Sequence, residues 1–188
     1  MFKNTKITFI GPGMMAQAMI AGLVRNDVAP AENLLISGPR QERGEELQQR
    51  YGVIPFTDNA AAAAQGDIVI LSVKPQRLDK VLEGIAGSLK PDALVLSIVA
   101  GAPVSKIARV LGAAAVVRAM PNTPARIAQG ITVWTASEGV TEAQKELARQ
   151  ILLALGKEIY VEEEDYLDKA TALSGTGPAY VLSLIHIS

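Results

Sequence analysis

Cysteine is absent from this chain of 188 residues, which excludes disulfides, thiolate nucleophiles and zinc–sulfur sites and suits a reducing compartment. The single histidine, His186, excludes a histidine-based triad or a multi-histidine metal site within the chain. An excess of one charge is missing as well: 18 Lys and Arg stand against 19 Asp and Glu. The basic residues are scattered, so no broad field would draw nucleic acid or an anionic membrane. The apolar run that follows Lys6 is too short, and too soon broken by Gly11, for a signal peptide or membrane span. A cytoplasmic location is expected, and the chemistry must fall to a cofactor or to hydroxyls, amides and carboxylates.

What the chain does have is apolar residues, 49% of the total, enough for one good core and the start of a second domain. They fall in short continuous runs, Ile7–Ile10, Leu34–Ile36, Ile68–Val73, Leu94–Val99 and Ala115–Val117, as parallel strands buried on both faces do. Helical patterns separate them. Met15, Ala18, Met19, Gly22 and Leu23 fall on one face of a helix. Asp58 can cap a helix through Ala60–Ala64, with Gly66 placed to end it. This alternation predicts an α/β, Rossmann-like, doubly wound and mostly parallel sheet. The acidic stretch Glu162–Asp165, after an apparent last strand at Glu158–Val161, reads as a solvated turn. It sets the expected boundary between a nucleotide-binding domain, 1–163, and the beginning of a helical domain, 164–188.

The segment from Ile7 to Ala16 is a strand running into Gly11-Pro12-Gly13-Met14-Met15-Ala16, the pattern G-x-G-x-x-A. The first glycine permits a tight turn, the second lets a pyrophosphate approach the backbone, and the small third residue lets helix and strand pack closely. The helix amides and dipole then hold the phosphates. A strand before the loop and a periodic helix after it raise the pattern above a chance match. NAD enzymes place an acidic residue at the end of the second strand to take the ribose 2′-hydroxyl. Here that strand ends in Ser37, with Arg40 close behind, a pair suited to a 2′-phosphate. NADP(H) is therefore the preferred cofactor, with NAD(H) still open. Arg40 could equally be a solvated residue at the start of the next helix.

Four further segments occur in order: Ser72-Val73-Lys74-Pro75-Gln76, Ser97–Gly101, Arg118-Ala119-Met120-Pro121-Asn122-Thr123-Pro124-Ala125, and Ala172–Tyr180. With the glycine loop they cover the chain to about Val181, and the whole resembles pyrroline-5-carboxylate reductase. The resemblance implies that Val73, Lys74 and Pro75 border the nicotinamide ribose, that Ser72 beside them belongs to the cofactor site, and that Asn59 contacts the adenosine side. It implies further that Ala100, Gly101, Met120 and Asn122 surround the nicotinamide ring. Ser174, Gly175 and Thr176 would form the loop leading to the substrate domain, near the reacting carbon. Plainer roles are open to some of these: Lys74 as a polar strand terminus, Thr123-Pro124 as a helix cap and first turn, Met120 as core filler.

The implied reaction is reduction of the ring imine of 1-pyrroline-5-carboxylate to L-proline by a reduced nicotinamide, within a homo-oligomer built on a dimer and without nucleic acid or membrane. The cofactor carries the difficult chemistry while the protein orients it, and no metal is implied. An iminium substrate would need no strong protein acid. The chain departs from the family at Met14, where an asparagine is usual. Its tail, Leu182–Ser188, is unlike the family's continuation, so a truncated and inactive fragment is expected. The rival readings are a β-hydroxyacid dehydrogenase-like oxidoreductase, which would need a helix lysine that Lys169 does not match, a deazaflavin-dependent NADP reductase, and a non-catalytic NADP-binding sensor.

Overall fold

The computed structural model describes residues 2–172. Its strands and helices alternate as β1 (Ile7–Ile10), α1 (Met14–Arg25), β2 (Leu34–Ser37), α2 (Gln41–Tyr51), β3 (Ile54–Phe56), α3 (Asn59–Ala63), β4 (Ile68–Leu71), α4 (Leu78–Ile85), β5 (Leu94–Ser97), α5 (Val104–Leu111) and β6 (Val116–Pro121). They continue as β7 (Gly130–Ala136), α6 (Glu142–Leu153), β8 (Gly156–Tyr160) and α7 (Asp165–Ala170). The strands form one sheet in the order β3-β2-β1-β4-β5-β6-β7-β8. All neighbours run parallel except β6 and β7. The doubly wound, mostly parallel expectation is met.

Each face of the sheet buries its own core, which is why the strands read as unbroken apolar runs. On one side Ile7, Phe9, Ile36, Ile70 and Leu96 pack with Met19, Ile20 and Leu23 of α1 and with Ile151 and Leu152 of α6. On the other, Ile10, Val69, Leu71 and Val95 pack with Leu82 and Ile85 of α4 and with Ile107 of α5. The buried stripe of α1 is shifted from the five periodic positions: Met19, Gly22 and Leu23 are buried, Met15 and Ala18 only partly so, while Ala16 and Ile20 are fully buried. Gly22 lets α1 approach the end of α6, where a Cβ would lie 2.5 Å from the Ala154 carbonyl oxygen.

Several boundaries depart from the sequence reading. Val73 and Val99 leave the ladder although Val99 is buried, because the chain turns away at the carboxyl ends of β4 and β5. The run at Ala115–Val117 extends to Pro121, and β8 spans Gly156–Tyr160 rather than Glu158–Val161. Two strands, β3 and β7, were not among the apolar runs. Asp58 does cap α3, its carboxylate accepting from the Ala60 and Ala61 amides. Gly66 does not end that helix in a left-handed turn. It is small because a Cβ there would lie 2.8 Å from the Thr8 hydroxyl.

The acidic stretch is not wholly a solvated turn. Arg118, 3% exposed on β6, donates to Glu164 Oε1 at 2.9 Å and to Asp168 Oδ1 at 2.7 Å. The same Glu164 oxygen accepts from the Val104 amide, closing the start of α5. A buried guanidinium needs such partners, and through them α7 is held against the sheet. No helix among the described residues is long and apolar enough to cross a membrane.

Candidate dinucleotide site

Because β1, β2 and β4 are parallel neighbours, the segments that follow them emerge side by side at the carboxyl edge of the sheet. That edge, at the switch of strand order beside β1, is where an open α/β sheet leaves a crevice. Gly11 turns the chain there with φ +94°, and a Cβ on it would lie 2.5 Å from Val73 Cγ1 and 3.0 Å from the Val73 backbone. Glycine is thus required at this position twice over, by conformation and by contact. Pro12 packs on Gly38, whose Cβ would lie 2.9 Å from the proline ring.

Gly13 differs. Its φ of −76° suits any residue, and a Cβ there would find no atom nearer than 3.8 Å. The fold does not need glycine here; close approach by a ligand would. Ala16, by contrast, is completely buried under the loop. The start of α1 has no side-chain cap, and the amides of Met14, Met15 and Ala16 find no acceptor among the described residues. The amino ends of α3, α5 and α6 are each closed by Asp58, Glu164 or Thr141, whereas α2 and α4 lack a side-chain cap as α1 does but do not follow the glycine loop. Uncapped amides at a positive helix end, beneath an open glycine, fit the pyrophosphate of a dinucleotide.

The flanking loops add charge. Arg40, the residue before α2, and Lys74, before a short 3-10 turn over Pro75–Arg77, are exposed. Neither takes part in any of the ion pairs found among the described residues. Ser37 is fully buried and its hydroxyl donates to Asn59 Oδ1 at 2.7 Å, which joins the ends of β2 and α3. Ser72 hydrogen-bonds back to the glycine loop, 2.8 Å from the Gly11 carbonyl.

Farther along the edge, Ala100 and Gly101 follow β5; Gly101 has φ +67° and open space around it. Met120 is half-buried at the end of β6, opposite Val133. Asn122 has a structural task the sequence did not suggest: its Oδ1 accepts from the Ile131 amide and fixes the start of β7. Thr123 and Pro124 open a 3-10 turn, with Asn122 rather than Thr123 in the capping position. Met14 is 68% exposed at the mouth of the crevice, presenting a thioether where the related pattern carries an amide. Ser174, Gly175 and Thr176, and the tail with His186, lie outside the described residues. Gln17 carries no sequence signal beyond that of a helix position, yet its side-chain amide donates to the carbonyls of Pro12 and Gly13.

Comparison with known proteins bears on this geometry. The family described as "NADP oxidoreductase coenzyme F420-dependent" matches residues 6–101. A pyrroline-5-carboxylate reductase of Pseudomonas aeruginosa is 40% identical over 181 residues, covering 96% of this chain and 66% of that protein. The chain thus spans just under two thirds of the length of such relatives. Among solved structures, the pyrroline-5-carboxylate reductase of Coxiella burnetii has a TM-score of 0.88 at 35% identity, covering 98% of this chain and 69% of that one. A pyrroline carboxylate reductase of Plasmodium falciparum with NADP bound has a TM-score of 0.86 at 29% identity, covering 99% and 68%.

Proposed function

Because the chain belongs to the pyrroline-5-carboxylate reductase family, and its residues 6–101 to that of the NADP oxidoreductases, we propose that it binds NADPH at the carboxyl edge of the sheet for reduction of the ring imine of 1-pyrroline-5-carboxylate to L-proline. When bound, NADPH supplies the hydride. The observation that carries the reading is the start of α1: three amides without acceptors, at an uncapped helix end, beneath a glycine whose only reason is open space.

The chain's own residues have distinct tasks in this reading. The Met14, Met15 and Ala16 amides hold the pyrophosphate, and Pro12 and Gly11 set the turn that presents them. Arg40 supplies the charge for a 2′-phosphate, while Ser37 orients Asn59 toward the adenosine side. Val73, Lys74 and Pro75 border the nicotinamide ribose. Ala100, Gly101, Met120 and Asn122 line the ring pocket and exclude water from it. A substrate bound as its iminium ion already carries the proton that amine formation requires, so orientation is the protein's main contribution.

Residues 1–163 carry the cofactor in this reading. Residues 164–188 open the substrate and dimerisation part of a homo-oligomer, with Ser174–Thr176 near the reacting carbon. The absence of cysteine supports a reducing, cytoplasmic setting. The test is titration of the chain with NADPH and NADH, followed by nicotinamide fluorescence. NADPH is expected to bind at least about tenfold tighter, from one charge-assisted contact at Arg40. Equal affinities would remove the assignment of Arg40, and binding of neither would remove the reading.

A further inference from the structure

The glycine loop is held by two side chains that the G-x-G-x-x-A pattern does not specify. Ser72 Oγ lies 3.1 Å from the Ile10 carbonyl and 2.8 Å from that of Gly11, sharing its one proton between them. Gln17 Nε2, one turn into α1, lies 3.3 Å from the Pro12 carbonyl and 3.2 Å from that of Gly13. Backbone bonds complete the set: the Ser72 amide donates to Ile10, the Gly13 amide to Gly11 and the Gln17 amide to Gly13. Every carbonyl from Ile10 to Gly13 therefore has a donor.

The physical consequence concerns what the loop can show to an anion. The turn is soft at its two glycines, where peptide planes can rotate at small cost, although the ring of Pro12 fixes its own φ, and a carbonyl rotated into the crevice would repel a phosphate. With all four carbonyls tied back toward β4 and α1, the backbone groups still free are the Met14, Met15 and Ala16 amides. Backbone amides fixed in one direction form an anion-binding concavity, and fixing them beforehand removes an ordering cost from binding.

We propose that Gln17 and Ser72 are positioning residues which clasp the loop's carbonyls so that a nucleotide pyrophosphate meets amides alone. The inference rests on the reading that this crevice takes NADPH. It assigns the two side chains an effect on the 5′-pyrophosphate and none on the adenosine 2′-phosphate.

The experiment compares the unaltered chain with Gln17→Met, Ser72→Ala, the double variant and Ser72→Thr. Each is titrated with NADPH, with ADP-ribose and with adenosine 2′-monophosphate, and its thermal midpoint is measured without ligand. Each loss is expected to weaken NADPH and ADP-ribose about twofold to tenfold, the range of one net hydrogen bond, and the double variant by about the product. Adenosine 2′-monophosphate should bind all variants alike, and Ser72→Thr, which keeps the hydroxyl, should bind NADPH as the unaltered chain does. A double variant that binds NADPH within about twofold of the unaltered chain overturns the inference. So does an equal loss for adenosine 2′-monophosphate, or a Ser72→Thr variant as weak as Ser72→Ala. Failure of the unaltered chain to bind NADPH overturns instead the reading beneath it.

Discussion

At the amino edge of the sheet, the polar groups are turned on one another. The Lys6 amide and the Lys90 ammonium both donate to Asp67, at 2.8 and 2.6 Å. Asn33 donates to the carbonyls of Phe2 and Lys3, while Lys6 Nζ reaches Gln65. At the carboxyl edge the same strands end in three amides without acceptors, two cations without carboxylates and a glycine with room above it. One end of the sheet satisfies itself; the other is finished only by a ligand. Local stability and binding should therefore separate between the two edges, and substitutions can test how cleanly they do.

The sharpest break is at the glycine loop, where two neighbouring glycines should behave differently. Gly11→Ala forces a side chain into φ +94° and against the Val73 backbone. We expect a loss of about 3 kcal/mol in stability, from strain and overpacking together, and loss of NADPH binding. Gly13→Ala meets nothing nearer than 3.8 Å, so it should leave the thermal midpoint unchanged and weaken NADPH about tenfold or more by blocking the pyrophosphate. Equal thermal losses in both variants would mean that the carboxyl edge is built for stability like the amino edge.

The next effect concerns how α7 is joined to the sheet. Arg118→Leu removes the two contacts to Glu164 and Asp168, leaving carboxylates that can still reach water, with side chains 30% and 67% exposed. That access to water makes the cost about 1–2 kcal/mol, smaller than the 3–5 typical of a stranded buried charge. Amide exchange should speed up in residues 165–170 well before it does in β1. Uniform acceleration would show that α7 and the sheet open as one unit.

How far the sequence carried this reading differs by kind of signal. Parallel strands buried on both faces announce themselves as Ile7–Ile10 or Leu94–Ser97 do. The strand β7 has a different pattern: Ile131 is exposed and Val133 half-buried, between buried Thr132 and Trp134. A search for unbroken apolar runs passes over it, although its β-branched and aromatic residues favour a strand. The glycine loop was legible because its chemistry is local. The Arg118–Glu164 pair spans 46 residues, and nothing in either neighbourhood names the partner. Gln17 was hidden for the same reason, since an amide on a helix is ordinary until the fold sets it on the loop; Ser72 stood out only as part of a cofactor-side segment, and nothing local told of its hold on the Ile10 and Gly11 carbonyls.

A smaller effect of opposite sign is expected at Thr132. Its hydroxyl is fully buried and is the one buried side-chain polar atom among the described residues without a hydrogen-bond partner. It sits on β7 opposite Pro121, near the carboxyl edge. Thr132→Val keeps the shape and removes the orphan, so stability should rise by about 1 kcal/mol, or roughly 2–4 °C in the thermal midpoint. A fall would mean that the hydroxyl is satisfied in solution, and the contrast between the edges would narrow.

The smallest effect belongs to the amino edge and depends on pH. Burial, the largest single influence on Asp67, raises its affinity for a proton, but the Lys90 and Lys6 hydrogen bonds and charges together outweigh it and hold the carboxyl below its ordinary value. A depressed folded-state value means that the carboxylate stabilises the fold above the unfolded value, and that this contribution fades as pH falls through the folded one. Since the side chain is 39% exposed, water screens the pair and the contribution is below about 1 kcal/mol. Asp67→Asn should therefore be slightly less stable than the unaltered chain at neutral pH. The two should converge in urea denaturation as the pH drops from the ordinary carboxylate range to below the lowered value, with the affinity for NADPH unchanged between them at neutral pH. A gap that persists in acid would mean that Asp67 acts through geometry alone, its Oδ2 serving the Lys6 amide whatever its charge. A change in NADPH affinity would mean that the amino edge is coupled to the site, and the separation between the two ends of the sheet would fail.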